Sequence, residues 1–199
     1  CTNPYDCAYW AYCSKHLPQP SVFDIYRLPG KKKWDYYRKG LISFHDLQHA
    51  SDLNEKQERQ VQFNLYDRGT YIDKKGIQNF LDTLSYPIYF LDFETVQPVI
   101  PEYIGTKPYA QIPFQYSLHY IEKEGGELKH KEFLAESGKD PRRAIAESLC
   151  KNIPMDACVT AYFKSFECSR LEELAETFPD LANHLLNIKS NIKDFLKPF

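Results

Sequence analysis

The chain has 199 residues, 43% of them hydrophobic and 26% charged, which is enough to bury a core and too apolar for a disordered chain. A formal net charge of −2 excludes nucleic-acid binding through overall charge and leaves that role to a local basic patch. No run of residues reaches a membrane span, and six cysteines without a secretion signal fit reduced thiols or metal ligands in the cytoplasm.

Residues 1–40 form a cysteine-containing and basic-aromatic segment that opens on Cys1 without a start methionine, as a piece of a longer protein would. Cys1, Cys7 and Cys13 are each separated by five residues. As thiolates they could bind zinc together with His16, or serve as three of the four ligands of an iron–sulfur cluster. They read equally well as small, half-buried hydrophobes in an aromatic turn. Further on, Arg27, Lys31, Lys32, Lys33, Arg38 and Lys39 surround Trp34, Tyr36 and Tyr37. Such interleaving can hold phosphates and stack bases. Pro18, Pro20, Pro29 and Gly30 suit a solvated linker instead.

Residues 41–85 read as a helical connector. Ser43 with Asp46 starts a helix near 44–50, and Asn54 with Gln57 starts another near 55–67, closed by Gly69. Asp73 caps a third, with Ile77, Phe80, Leu81 and Leu84 as its apolar stripe.

Residues 86–199 carry the chemistry. After Pro87, the run from Ile88 to Phe93 reads as a buried strand interrupted only by Asp92. Side chains alternate along a strand, so Asp92 and Glu94 share a face with Phe93 opposite. Two carboxylates side by side at a buried strand end repel each other and lose hydration, and a hard divalent cation, Mg²⁺ or Mn²⁺, removes both penalties. A strand that simply ends in water would also place acids there. A long loop rich in Pro and Tyr follows, and then strands at 114–122 and 128–134 joined by Gly125-Gly126. His119 and His130 read as surface or cross-strand residues of this hairpin. Asp140-Pro141 opens a helix to about Lys151, and 157–163 is a second buried strand. Ser165 caps a helix that ends at Pro179, and a last helix lies near 181–190. This order of elements predicts an α/β domain with a mixed sheet.

The motif Asp92-Phe93-Glu94-Thr95, followed by a hairpin and a helix, resembles the first motif of the DnaQ-like 3′–5′ exonucleases, the DEDD group on an RNase H-like fold. That group's second motif reads Asn, two residues, Phe, Asp. The matching place here is Phe163 to Glu167, with Phe163 for the asparagine and Glu167 for the aspartate. The resemblance covers about 88–199. The segment from Cys1 to Cys13 resembles the closing cysteines of RecB-type nuclease domains, which carry a [4Fe-4S] cluster. The whole arrangement resembles bacterial RecB-type fusions, including a family known only as a domain of unknown function.

The resemblance implies an RNase H-like mixed sheet with flanking helices and two-metal phosphodiester hydrolysis, with Mg²⁺ or Mn²⁺ ions about 3.5–4 Å apart. Asp92, Glu94 and Glu167 would be the ligands, and Thr95 and Lys164 are candidates for contacting DNA or RNA. Glu167 also sits where the helix dipole alone favours an acid. The family's last motif, a His or Tyr four residues before an Asp, is not found between His184 and Phe199. Asp194 has Ser190 at that spacing and reads as the start of the next strand. The general base and fourth acid are therefore expected beyond Phe199, and residues 1–199 alone are expected to cut weakly or not at all. The alternative class is a degenerate nuclease-like domain that binds nucleic acid or a protein partner without catalysis.

Overall fold

The computed structural model describes residue 5 and residues 7–198, and the chain divides into two compact units, Cys1–Ile72 and Asp73–Phe199. The helices expected as one connector over 41–85 are thus shared between the two units.

The first unit contains α1 (Trp10–Cys13), a 3-10 turn (Val22–Asp24), α2 (Gly30–Arg38) and α3 (Glu55–Leu65). Its core gathers Val22, Ile25, Leu28, Tyr36, Phe44, Leu47, Leu53 and Val61. The basic-aromatic stretch is therefore not a solvated linker. Tyr36 is buried, and the rings of Trp34 and Tyr37 close on Phe23 at 4.9 and 5.7 Å. Pro29 precedes the first turn of α2, where its missing N–H costs nothing, so it bounds the helix without breaking it. The helix expected at 44–50 is instead a series of turns. Its capping box does form: Ser43 N–H and Oγ both donate to Asp46 Oδ2 at 2.7 Å, and Asp46 N–H donates to Ser43 Oγ at 3.2 Å. A helix needs further residues to repay nucleation, but just downstream Asp52 is drawn into an ion pair with Lys32 at 3.0 Å and a bond from the Tyr36 hydroxyl. The Asn54–Gln57 box starts α3 as expected, with N–H···O distances of 3.0 and 3.1 Å. That helix stops at Leu65, ahead of Gly69, because Asp67 already turns left-handed at φ 45°.

The second unit runs α4 (Lys74–Leu81), β1 (Ile88–Val96), β2 (Ile112–Ile121), β3 (Lys129–Leu134), α5 (Arg142–Asn152), β4 (Cys158–Ala161), α6 (Ser165–Thr177), α7 (Ala182–Asn191) and β5 (Ile192–Asp194). The five-stranded sheet has the order β3-β2-β1-β4-β5. β2 is antiparallel to β1 and β3, whereas β4 runs parallel to β1 and β5 parallel to β4. This is a mixed α/β domain with the sheet expected of an RNase H-like fold.

Alternation along β1 sends Tyr89, Leu91 and Phe93 into a core completed by Ile145 and Leu149 of α5, Leu171 and Leu174 of α6, and Leu185 and Ile188 of α7. Phe90, Asp92 and Glu94 point to the other face, where Phe90 stacks on Phe195. Tyr116 is fully buried, and its hydroxyl is satisfied by Ser148 Oγ at 2.7 Å and Asn152 Nδ2 at 2.8 Å. His119 and His130 are cross-strand partners with ring centroids 4.3 Å apart. No helix among the described residues is long and apolar enough to cross a membrane.

Three consequences place the site. β1, β4 and β5 run the same way, so their carboxyl ends open onto one edge, where open α/β sheets present their ligand sites. The β1–β2 register shifts between Glu94 and Thr95, with Thr95 opposite Pro113, which has no N–H to continue the ladder. Finally, α6 begins at this edge directly after β4.

Candidate active site

Asp92 and Glu94 occupy the carboxyl-terminal half of the central strand, both exposed and on one face, with Phe93 buried opposite. Thr95 is half-buried beside them at the register shift. From the neighbouring strand, β4 ends at Ala161 and the chain turns through Tyr162, Phe163 and Lys164 into α6. Phe163 is left-handed at φ 59°, a conformation that a bulky side chain rarely adopts. Its N–H donates to Asp194 Oδ1 at 2.9 Å, and Leu196 N–H donates to the same oxygen at 2.9 Å. The Lys164 ammonium donates to the Ile192 carbonyl at 3.0 Å. The turn is thereby fastened to the end of β5. Ser165 does not cap α6 with its side chain, as its position predicted; Lys164 stands at the N-cap and Ser165 lies inside the first turn.

Glu167 lies in that first turn and is only 4% exposed. The helix dipole favours an acid there, but burial outweighs it. The Glu167 carboxyl is pushed above its usual range by loss of hydration first and by the charges of Asp92 and Asp194 in addition, against the pull of a backbone hydrogen bond. Its Oε2 is buried without any hydrogen-bond partner among the described residues. The structure thus brings Asp92, Glu167 and Asp194 into one electrostatic neighbourhood, with Glu94 exposed two residues along β1 from Asp92. Asp194 ends β5, where the sequence reading had it starting a strand. Its place beside Glu167 follows from β5 pairing in parallel with β4, which no local pattern announces.

Among the described residues, no three His, Cys, Asp or Glu side chains converge, as they stand, into a set that could hold a metal ion. The donor chemistry nevertheless fits a hard cation. An orphaned carboxylate oxygen shielded from water and two further carboxylates at the same edge are oxygen ligands of the kind Mg²⁺ and Mn²⁺ prefer.

The cysteine segment offers less. Cys1 lies outside the described residues, Cys7 is half-buried, Cys13 is exposed, and the latter two are free thiols. Cys13 and His16 both border a cavity of about 180 Å³ walled by Trp10, Phe23, Trp34 and Tyr37.

A larger cavity of about 580 Å³ opens between the loop at 97–111 and α6, with Gln97, Lys107, Gln111, Arg142 and Arg170 among its walls. Arg170, one helical turn beyond Glu167, is 5% exposed and bonds Glu173 through Nε at 3.0 Å and Nη2 at 2.7 Å, and Gln111 through Nη1. The sequence reading passed over Arg170. Its spacing of three from Glu167 and from Glu173 puts all three on one side of α6, and this was the available signal.

Fold and site define a mixed α/β domain with an acidic cluster at the carboxyl ends of its parallel strands. The family model for a domain of unknown function (DUF2779) matches residues 89–199, more than half of the chain, and the chain belongs to that family. The matched stretch includes Asp92, Glu94, Glu167 and Asp194. No curated protein and no solved structure matches the chain.

Proposed function

We propose that this domain is a metal-dependent nuclease that hydrolyses phosphodiester bonds of DNA or RNA, as a 3′–5′ exonuclease within a larger cytoplasmic protein. The observation that carries the reading is Glu167: a buried carboxylate with an orphaned oxygen, within electrostatic reach of Asp92 and Asp194. Folding does not gain from such a group, because a buried, unpartnered charge is costly. A divalent cation supplies the missing partner. The strand order, and the resemblance of Asp92-Phe93-Glu94-Thr95 to the DnaQ-like first motif, support the same reading.

Asp92, Glu94 and Glu167 would hold Mg²⁺ or Mn²⁺, which when bound activates water and stabilises the leaving oxygen. Asp194 adds negative charge to this set and keeps the turn at Phe163 in place. Thr95, at the register shift, and Lys164, at the N-cap of α6, would steady a phosphate or sugar of the substrate. The two cavity arginines are already paired with Glu173 and Asp140, so they shape the wall beside the site more than they offer free charge.

The test is a cleavage assay of the full-length protein on 5′-labelled single-stranded DNA and RNA with Mg²⁺ or Mn²⁺, beside Asp92→Asn and Glu167→Gln. Both variants should lose more than the roughly 10–100-fold that removal of an outer-sphere partner costs. Mn²⁺ should raise the melting temperature of the wild type and of neither variant. Metal-independent cleavage, or cleavage indifferent to Asp92→Asn, overturns the proposal. The exposed Phe163, standing where the resemblance places an asparagine, favours a second reading in which nucleic acid is bound without hydrolysis. Binding with no cleavage under any divalent cation would select it.

A further inference from the structure

We infer that Tyr162 and Phe163 form a stacking platform for unpaired bases, which makes the site selective for a single-stranded nucleic acid. The inference rests on the nuclease reading of the neighbouring carboxylates and adds the substrate's secondary structure to it. Both rings stand in solvent, 67% and 54% exposed. Among the described residues, neither belongs to the core of the unit nor pairs with another ring, so folding has no use for them where they are. Their place is specific. The β1–β4 register ends with Phe90 opposite Thr160, two residues before Asp92 on one strand and Tyr162 on the other, and Glu167 follows Phe163 by four residues in the first turn of α6.

The backbone adds an independent reason. Phe163 keeps its left-handed conformation, against the preference of a bulky side chain, through the N–H bond to Asp194. Strain of this kind persists where the surrounding structure fixes it and collects at ligand-binding turns. The surroundings complement a polynucleotide. Lys164 bonds only a carbonyl, Lys193 is exposed, and among the described residues neither ammonium is paired with a carboxylate. Exposed aromatic rings beside unpaired ammonium groups hold single strands by stacking bases and pairing phosphates, and every base has a face to offer. In a duplex those faces are covered by neighbouring base pairs.

The experiment uses the full-length protein carrying Asp92→Asn, so that the strand stays intact, with oligodeoxynucleotides and oligoribonucleotides bearing 2-aminopurine near the 3′ end. Binding should quench the probe, and a duplex of the same sequence should bind at least about tenfold more weakly. Phe163→Asn suits the left-handed turn and removes the ring. It and Tyr162→Ala should each weaken single-strand binding roughly tenfold and restore the fluorescence, while Phe163→Trp keeps both. No quenching with either strand type, or affinity and quenching unchanged in Phe163→Asn and Tyr162→Ala, overturns the platform. If the wild type still cuts in an Asp92-dependent way, that failure leaves the nuclease reading standing. Ring-dependent quenching by a protein that never cuts would support the platform and sink the nuclease reading instead.

Discussion

Glu167 combines burial, an unmet oxygen and two like charges, and the pH dependence of stability should reveal it. Its folded pKa lies above the ordinary carboxylate value, so between the two the native state holds the proton more tightly than the unfolded chain does. Stability therefore falls as pH rises from the ordinary carboxylate range through the raised value. Glu167→Gln has no such term. It should match the wild type near pH ~4 and exceed it at neutral pH, by about 1–3 kcal/mol for relief of an unsatisfied buried group. Urea denaturation across that range measures the gap, and a variant less stable than wild type at neutral pH would contradict the assignment. Asp194 permits a finer separation. In Asp194→Asn the amide oxygen can still accept the Phe163 and Leu196 N–H bonds, so the turn should survive while the affinity for Mn²⁺ falls. Asp194→Ala removes the acceptor and should cost about 1.5–3 kcal/mol, the range for hydrogen bonds to a charged group. At this scale the sequence disclosed Asp92 and Glu94 through the period of a strand, and Glu167 as an acid in a first helical turn. It could not disclose that Glu167 is buried, because burial depends on where α6 docks.

Among the elements, periodicity located β1 to β4 and α3 to α7 within a few residues, because each carries an apolar face at its own spacing, whereas the three residues of β5 are too few to show one. The failures have physical causes. α2 was obscured by Pro29 and Gly30, which mark its start, and its burial depends on Phe23 and Asp52, distant in sequence. The turn at 44–50 has a helical cap without a helix behind it. The hairpin between β2 and β3 gives a sharp test of backbone geometry. Gly125 sits at φ 66° with no atom within 4 Å of a would-be Cβ, so Gly125→Ala should cost about 1–2 kcal/mol through conformation alone. At Gly126 a Cβ would stand 2.8 Å from the Lys123 carbonyl oxygen, so Gly126→Ala should cost stability through a clash. Chemical denaturation of the two variants, with hydrogen exchange along β2 and β3, would separate the causes.

Across the whole molecule, the fold class was legible in the order of strands and helices, whereas the division at residues 72 and 73 was not. The core of the first unit draws Val22, Tyr36, Phe44 and Val61 from both sides of the boundary expected at 40, and composition along the chain does not register such long-range packing. Each unit has its own apolar cluster. Tyr71 and Ile72 are exposed at the junction, so brief chymotrypsin treatment should cut after Tyr71 and leave a protected fragment starting at Ile72. Fragmentation within β1 or α6 ahead of that cut would speak against two units.

The parallel arrangement of β1, β4 and β5 also bears on the moment at which the acidic cluster comes into being. During synthesis Asp92 leaves the ribosome well before Glu167, and Asp194 comes last, on a strand of only three residues. The three charges meet when that short strand docks on β4, so their repulsion weighs on a late step of assembly. A nascent chain thus carries the acids without the cluster. A cation held by these carboxylates, as proposed above, would offset the repulsion, and refolding from urea should then be faster with Mn²⁺ than with a chelator.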